Sequence, residues 1–205
     1  MKPAAAYMAL IASAFLAFAC HSARESADAG DTSAPAASSV VADKPFVAAG
    51  KINLELDGGF YVVRTTADNH IRVALTGNAG GAKANLTADE TAATVQVKDT
   101  PHNFRATIEV PPVADLVVHF KGGELVMEPI TGNKDVQSYG GEIKIGIGNP
   151  DEYSSVDASV KVGAIEASAF GGSSGGFLPH FTWSGKGKYT LRADLAAGSL
   201  SLQRK

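Results

Sequence analysis

The chain of 205 residues has only one cysteine, Cys20, and this scarcity excludes any internal disulfide bond. It also lacks an excess of basic residues: 18 lysines and arginines stand against 21 acidic residues, for a formal net charge of −3. The lysines are scattered, as at positions 121, 134, 144 and 161, so no nucleic-acid partner is predicted. Past Cys20 no apolar run is long enough to cross a bilayer, which places the rest of the chain outside the membrane.

Residues 1–19 have the pattern of an export leader, with Lys2 before an uncharged run that ends in small residues. The stretch Leu16-Ala17-Phe18-Ala19-Cys20 resembles a bacterial lipobox. That resemblance implies cleavage before Cys20 and lipidation of its thiol, with acyl chains such as palmitate as the membrane anchor. Ala17-Phe18-Ala19 also fits ordinary signal peptidase, so the alternative is a soluble periplasmic or secreted protein with a free thiol.

The next segment has neither aromatic residues nor a sustained apolar period between His21 and Lys44, which is typical of a flexible tether. The remaining length suits one hydrophobic core rather than two. The sequence therefore predicts a signal peptide over 1–19, a lipidated cysteine and tether over 20–45, and one domain over 46–205. Because His21 is not the aspartate that retains some lipoproteins in the inner membrane, the expected location is the outer membrane of a bacterial envelope.

Alternation of polar and apolar residues dominates the predicted domain, as in segments 51–56, 94–97, 105–110 and 142–147. Glycine-rich and proline-rich turn signals separate these segments, and no convincing helical stripe occurs after the tether. The fold class predicted is therefore all-β.

A short phrase recurs in the second half, where glycine precedes alternating aliphatic residues at Gly123, Gly141, Gly163 and Gly198. The steps between them are 18, 22 and 35 residues. The first two steps suit the rungs of a single-domain β-solenoid, with glycine at each corner. A corner at Gly163 would also switch the inward face from Val156, Ala158, Val160 and Val162 to Ile165, Ala167 and Ala169. The alternative is an antiparallel β-sandwich that reuses similar turns.

The C-terminal half, about residues 115–205, resembles the bacterial putative-adhesin domain, a family of unknown function related to auto-transporter adhesin heads. The resemblance lies in turn-and-strand phrases, namely 155–165, 170–177, 185–193 and 198–202. It implies a right-handed β-solenoid and a binding role rather than a catalytic one. Where relatives often have an acidic residue before the last strand, this chain has Ala196-Ala197-Gly198-Ser199, so one candidate cation ligand is missing.

Motifs for catalysis or metal binding are weak. The histidines at positions 21, 70, 102, 119 and 180 are dispersed, so no metal site is predicted, and His119 is expected to point outward from a strand. Gly171-Gly172-Ser173-Ser174-Gly175 has the spacing of a serine nucleophile motif, but Pro179 prevents the helix that should follow. It is therefore interpreted as a flexible or turn-rich loop. No catalytic residue and no cofactor are predicted.

Acidic residues leave an enzyme as the main alternative, because solenoid enzymes that cleave polysaccharides use clustered acids. The candidates are Asp135, Glu142, Asp151, Glu152 and Asp157. A second alternative is a purely structural envelope protein without a ligand.

The segment from Phe170 to Trp183 is the predicted binding loop, because aromatic residues among glycines are common in recognition loops. Its four rings are Phe170, Phe177, Phe181 and Trp183, which could instead cap the core. The sequence thus predicts a non-catalytic domain that contacts an envelope glycan or protein and is tied to the membrane through lipid.

Overall fold

The computed structural model describes residues 38–77 and 79–205, and within them the chain is all-β, as predicted. This part has no α-helix, only two 3₁₀ turns at Pro150–Glu152 and Ser168–Phe170, and hence no helix that could span a membrane. The strands are β1 Ser38–Pro45, β2 Lys51–Leu56, β3 Gly59–Thr65, β4 His70–Thr76, β5 Lys83–Ala88, β6 Ala92–Lys98, β7 Arg105–Val110, β8 Asp115–Phe120, β9 Gly123–Met127, β10 Lys134–Ser138, β11 Gly141–Ile147, β12 Tyr153–Ala167, β13 Gly172–Phe177, β14 His180–Ser184 and β15 Tyr189–Arg204.

Two parallel series of strands make up the sheet. One series runs β6, β2, β8, β10, the first half of β15 and the first half of β12. The other runs β7, β3, β9, β11 and the second halves of β15 and β12. Antiparallel strands flank both series, with β1, β4 and β5 at one end and β13 and β14 at the other. Their pairing covers edges that would otherwise be open to other chains.

Five glycines stack across the second series where the chain turns into it, and we call them the glycine ladder. In spatial order they are Gly59, Gly123, Gly141, Gly198 and Gly163. All five have φ between +109° and +154°, a range that side chains rarely adopt. A Cβ on Gly198 would lie 1.9 Å from the carbonyl oxygen of Gly141. Glycine is thus required both by the backbone conformation and by the close approach of neighbouring strands.

The glycine repeat corresponds to strand register, but its order in space differs from its order in the chain. The first step of 18 residues is the offset between paired strands, since Leu125 lies opposite Ile143. Gly141, however, pairs with Gly198 rather than with Gly163, because β15 inserts between β11 and β12. The same inversion occurs in the first half, where β2 lies between β6 and β8.

The corner at Gly163 switches the buried face of β12, as predicted. Burial alternates through Val156, Ala158 and Val160 and then resumes at Ile165 and Ala167. The assignment of Val162 to the inward face is wrong, since its side chain is 55% exposed. Val162 lies directly before the corner at Gly163 and pairs with Phe177 of the flanking strand β13, which is exposed as well.

Part of the predicted tether is ordered structure. Ser38–Pro45 forms β1, which pairs with β4, whereas the sequence assigned these residues to the tether. Seven of its eight residues are exposed, so the strand has no apolar alternation by which it could be recognised. Main-chain pairing, a hydrogen bond between Asp43 and His70 and the ion pair of Asp43 with Arg72 hold it instead. Cys20 and the predicted leader lie outside the described residues.

Tyr61 gives a stability prediction in the core. Its side chain is fully buried between Phe104 and Phe120, and its hydroxyl has no hydrogen-bond partner among the described residues. Because a buried hydroxyl without a partner carries a desolvation cost, Tyr61→Phe should raise the free energy of unfolding by about 1 kcal/mol in urea denaturation.

The matched control is Tyr153→Phe, which removes a buried hydroxyl that does have a partner. The Tyr153 hydroxyl accepts a hydrogen bond from Lys134 Nζ at 2.7 Å. Its removal should lower the free energy of unfolding by about 1–2 kcal/mol. A loss of stability in Tyr61→Phe comparable to that of the control would contradict the prediction.

Candidate functional site

A groove lies on the outer side of the first strand series, and two rows of outward side chains build it. The strands supply equivalent positions in the order β6, β2, β8, β10, β15 and β12. The inner row is Gln96, Glu55, His119, Gln137, Asp194 and Ser159. The rim row, two residues further along each strand, is Lys98, Asp57, Lys121, Tyr139, Ala196 and Lys161. We call these two rows with Arg192 the outer groove. All of its members except Gln96 line a cavity of about 790 Å³.

The alternation of the strands explains why polar groups line this groove. Between the two rows lies one inward position per strand, occupied among others by Leu56, Phe120 and Leu195, each at most 3% exposed. Burial of these side chains fixes the register of the strands. A shift of one strand by one residue would turn its core side chains outward and its groove side chains into the core. The groove is therefore held on a packed core rather than on loops.

Ion pairs fix most charges of the groove. Lys121 lies 2.7 Å from Asp57, and Arg192 lies 2.7 Å from Asp194, which also accepts a hydrogen bond from Ser159 at 2.6 Å. The hydrogen bond from Lys121 lowers the pKa of Asp57 despite partial burial. For Asp194, burial opposes ionisation, but bonds from Ser159 and Arg192 leave its pKa lowered overall. Both carboxylates are therefore charged at neutral pH.

The same contacts act on the basic partners. The hydrogen bond to Asp57 raises the pKa of Lys121, and the hydrogen bond to Asp194 raises that of Arg192. Each of the four shifts moves the pKa of its group further from neutral pH. The charges of these groups are thus permanent under physiological conditions, which suits binding more than proton transfer.

Other groups of the groove remain available to a ligand. No carboxylate in residues 38–77 and 79–205 lies within salt-bridge distance of Lys161, and Lys98 reaches Glu55 only at 3.7 Å. Tyr139 is 78% exposed, and His119 is exposed as the sequence predicted. The groove therefore offers Lys161 without a described carboxylate partner at one end, the loosely paired Lys98 at the other, and an aromatic ring between them.

The predicted aromatic loop consists largely of strands. Gly172–Phe177 is β13 and His180–Ser184 is β14, both antiparallel to β12, so the expectation of a flexible or turn-rich loop at 171–175 is wrong. Glycine and serine gave no strand signal, because main-chain pairing with β12 and not side-chain burial forms β13.

The four rings of this segment separate into two groups. Phe170, Phe181 and Trp183 are partly buried and pack against the core, with Phe170 5.0 Å from Trp183 between ring centroids. Phe177 is 80% exposed and lies beside Val162 and Leu178, which are also exposed. A binding role for the segment remains a prediction, and Phe177 is the ring best placed for it.

The five candidate acids do not converge. Asp135 and Asp157 flank Arg192 on the first series, whereas Glu142 lies on the second series beside Lys144. Asp151 and Glu152 belong to a 3₁₀ turn. The cluster that the enzyme alternative requires is thus not formed by these five acids, because consecutive strands of the chain alternate between the two series.

Histidines and metal-type ligands are similarly dispersed. His70 pairs with Asp43 and His180 with Asp157. In the part of the chain that the structure describes, no three histidine, cysteine or acidic side chains form a group that could hold a metal ion. Ser173 lies in β13 opposite Glu166.

Lys134 is the one lysine buried in the described residues, with 2% of its surface exposed. Its Nζ donates to the carbonyl oxygens of Ile130 at 2.5 Å and Gly132 at 3.2 Å and to the Tyr153 hydroxyl. Burial lowers its pKa to about 8, against smaller opposing effects of Glu152 and Asp115. These contacts join the segment before β10 to the start of β12, so Lys134 has a structural role.

Sequence reasoning did not find the outer groove as a site. Lys121 and Lys161, interpreted as scattered charges, lie on the same rim once the strands stack. In the sequence, the only sign of the groove is the polar half of each alternating segment. Any half-exposed strand shows the same pattern.

Comparison with known proteins gives limited similarity. No family model matches the chain, and no curated protein matches it. Among solved structures, a "putative cell adhesion protein" from Clostridium sporogenes aligns with 14% identity and a TM-score of 0.46, over 80% of this chain and 98% of that one. A "putative adhesin" from Bacteroides fragilis aligns with 10% identity and a TM-score of 0.30, over 82% and 97%. One from Parabacteroides merdae aligns with 9% identity and a TM-score of 0.31, over 54% and 58%.

Proposed function

We propose that this chain is a lipid-anchored protein of the bacterial envelope whose domain binds an envelope component without catalysis, through the outer groove. The observation that carries the proposal is the groove itself, in which two rows of polar side chains stand on a packed sheet. A surface of this size, with cations at both ends and an exposed tyrosine between them, offers hydrogen bonds and charge to an extended ligand.

Fixed charges support binding over turnover. General acid and base catalysis favours groups that titrate near the working pH, whereas Asp57 and Asp194 have lowered pKa values and Lys121 and Arg192 raised ones. Preformed ion pairs also keep these side chains in place before the ligand arrives, which reduces the entropy lost on binding.

The anchor and the winding of the chain complete the proposal. The leader and the lipobox-like stretch that ends at Cys20 support lipidation and an outer-membrane location. The two parallel series, with one strand added to each per repeat, support a β-solenoid, and the proposal includes the right-handed form that the family resemblance implies. Since β1 and β4 lie at the opposite end of the stack from β13 and β14, the tether joins the domain at the end remote from Phe177.

Cosedimentation with purified envelope fragments tests the binding proposal. The full chain in detergent should sediment with the fragments, and a Tyr139→Ala/Lys161→Gln double variant should lose most of this binding. Lys186→Gln, which removes an exposed lysine outside the groove, should bind like the wild type. Glycan products in the same samples should be absent. Specific release of sugar or ester products would replace the proposal with the alternative of a carbohydrate-active enzyme.

Intact mass tests the anchor separately. Protein recovered from the membranes of a bacterial host should begin at Cys20 and carry diacylglycerol and acyl mass, and Cys20→Ala should lack both. An unmodified mature chain in the periplasm or medium would contradict lipid anchoring, while leaving the groove proposal to the binding assay.

A further inference from the structure

We infer that the ligand of the outer groove is an uncharged glycan whose neighbouring hydroxyl groups bind to two ion pairs, that of Asp57 with Lys121 and that of Asp194 with Arg192. This inference rests on the proposed function of the groove. Three observations carry it: the charges of the groove balance one another, each ion pair places a donor beside an acceptor, and the exposed ring of Tyr139 lies between the pairs.

The charges of the groove are almost balanced within the groove. Three carboxylates and four basic side chains line it. Each carboxylate has a basic partner, at 2.7 Å for Asp57 with Lys121, at 2.7 Å for Asp194 with Arg192 and at 3.7 Å for Glu55 with Lys98. A charged ligand of either sign would have to displace one of these partners or lie beside a like charge, and like charges in contact oppose binding. The groove therefore favours an uncharged ligand.

Each of the two close ion pairs presents a hydrogen-bond donor directly beside an acceptor. In both of them the nitrogen and the oxygen are 2.7 Å apart. The oxygens of two neighbouring hydroxyl groups on a sugar ring are separated by a similar distance, within the range of an O–H···O hydrogen bond. One hydroxyl can thus accept from the cation while its neighbour donates to the carboxylate, and both bonds involve a charged group. A single hydroxyl or a backbone amide would use only half of such a pair.

Both ion pairs are open to a ligand, although their carboxylates are held in place. The side chains of Lys121 and Arg192 are mostly exposed, whereas those of Asp57 and Asp194 are partly buried. Each carboxylate has a second fixed partner, a backbone N–H at 3.1 Å for Asp57 and a serine hydroxyl at 2.6 Å for Asp194. Since a carboxylate has about four acceptor positions, both can still accept from a hydroxyl group.

An exposed aromatic ring separates the two pairs. Strand β10, which carries Tyr139 next to its end, lies between β8 and β15. The two pairs are therefore about two strand spacings, or roughly 10 Å, apart, so they can bind different rings of one glycan chain. The ring of Tyr139 is exposed, and a tyrosine offers large contact area to a sugar ring at low entropic cost.

The backbone below the groove disfavours a peptide. Strands β2, β8 and β10 each pair with a neighbour on both sides, so they offer no free edge to which an extended peptide could add. Leu56, Phe120 and Leu195 are buried beneath the two rows and present little surface to an apolar anchor residue.

Selective chemical treatment of envelope fragments tests the inference by cosedimentation with the full chain in detergent. Periodate cleaves the C–C bond between neighbouring hydroxyl groups to give two aldehydes and is itself reduced to iodate, and borohydride then reduces the aldehydes to separate alcohols. Fragments treated in this way should bind at least about tenfold more weakly. Fragments with amidated carboxylates and fragments digested with protease should bind like untreated ones. Added salt should change the affinity by less than about twofold, because the ligand is uncharged.

Two variants locate the binding at the ion pairs. Asp57→Asn and Asp194→Asn each replace a charged acceptor by an amide of the same shape, and each should weaken binding to untreated fragments about tenfold. The matched control is Glu142→Gln, which removes the carboxylate that lies 2.9 Å from Lys144 on the second series. It should bind like the wild type. The urea midpoint of each variant separates a loss of binding from a loss of folded protein.

The contrary results have distinct meanings. Binding that survives periodate, or that is lost after amidation, would overturn the assignment to an uncharged glycan, and loss after protease digestion would assign a protein partner instead. Wild-type binding by both folded asparagine variants would overturn the role of the ion pairs. In each of these cases the proposed function stands if binding to untreated fragments still depends on Tyr139 and Lys161. If untreated fragments do not bind at all, both the inference and the proposed function fail.

Discussion

Replacing Gly198 by alanine is expected to lower the free energy of unfolding by about 4 kcal/mol or more, the largest effect of any single substitution considered. Gly198 has φ of +125°, and a Cβ there would lie 1.9 Å from the carbonyl oxygen of Gly141. Neither atom is the end of a flexible side chain, so the two paired strands must separate. The loss would appear as a lower urea midpoint or, if the variant falls below its stability limit, as a collapse of soluble yield.

Substitutions at two other glycines distinguish the cost of the positive φ from the cost of the steric clash between strands. Gly77 also has positive φ, at +74°, but nothing lies within 4 Å of its Cβ position, so Gly77→Ala should cost only about 1 kcal/mol of backbone strain. Gly175, in β13, has ordinary space around its Cβ position and no positive φ, so Gly175→Ala should change stability by less than about 1 kcal/mol. Similar stability of the three variants would contradict the stacked ladder.

Replacing Lys134 by alanine should have the second largest effect, with a loss of about 3 kcal/mol at pH 9. The substitution removes the contacts of Lys134 Nζ with two carbonyl oxygens and the Tyr153 hydroxyl and leaves a cavity beside Tyr153. At pH 9 the neutral amine keeps two N–H donors for the carbonyl oxygens, and its lone pair can accept from the hydroxyl. The loss should be smaller at pH 7, by about 1 kcal/mol, because the protonated side chain is the less favourable form in the folded protein.

The direction of this pH dependence follows from the lowered pKa. Lys134 titrates at about 8 in the folded chain and near 10.4 when unfolded, so the unfolded state binds more protons between these values. Stability of the wild type therefore rises with pH in that window. The raised pKa values of Lys83, Lys121 and Lys144 act only above about pH 10.

Urea unfolding at pH 7 and pH 9 measures the effect. The wild type and the control Lys186→Ala should both gain about 1 kcal/mol on going to pH 9, and Lys134→Ala should not. A wild-type stability that falls over this interval, or a gain that persists in Lys134→Ala, would contradict the assignment of the buried charge.

The sequence predicted those parts of the fold that depend on local pattern. Alternation identified β2, β7 and β11, and the recurring glycines marked four of the five corners in the ladder. Gly59 was not recognised because Phe60-Tyr61-Val62-Val63 after it does not alternate polar and aliphatic residues and because its distance from Gly123 does not match the other steps. The inverted order of β12 and β15 could not be predicted, since β13, the first of the two strands that carry the chain back, consists mostly of glycine and serine and has no strand signal.

The outer groove could not be predicted from the sequence for a different reason. Its members come from six strands, and only their register brings Lys98, Lys121 and Lys161 onto one rim. Register between non-adjacent strands depends on the packing of inward residues and is not written in any short segment. The aromatic segment drew attention because its residues are neighbours in sequence, yet three of its four rings pack on the core.

The central claim is that the ligand occupies the outer groove, and two equally exposed rings provide the most direct test. Tyr139 is 78% exposed in the groove, and Phe177 is 80% exposed at the far end of the stack. Hydroxyl-radical oxidation of the full chain, free and bound to envelope fragments, should show protection of Tyr139 on binding with oxidation of Phe177 unchanged. Protection of Phe177 with Tyr139 still oxidised would contradict the claim and assign binding to the aromatic segment.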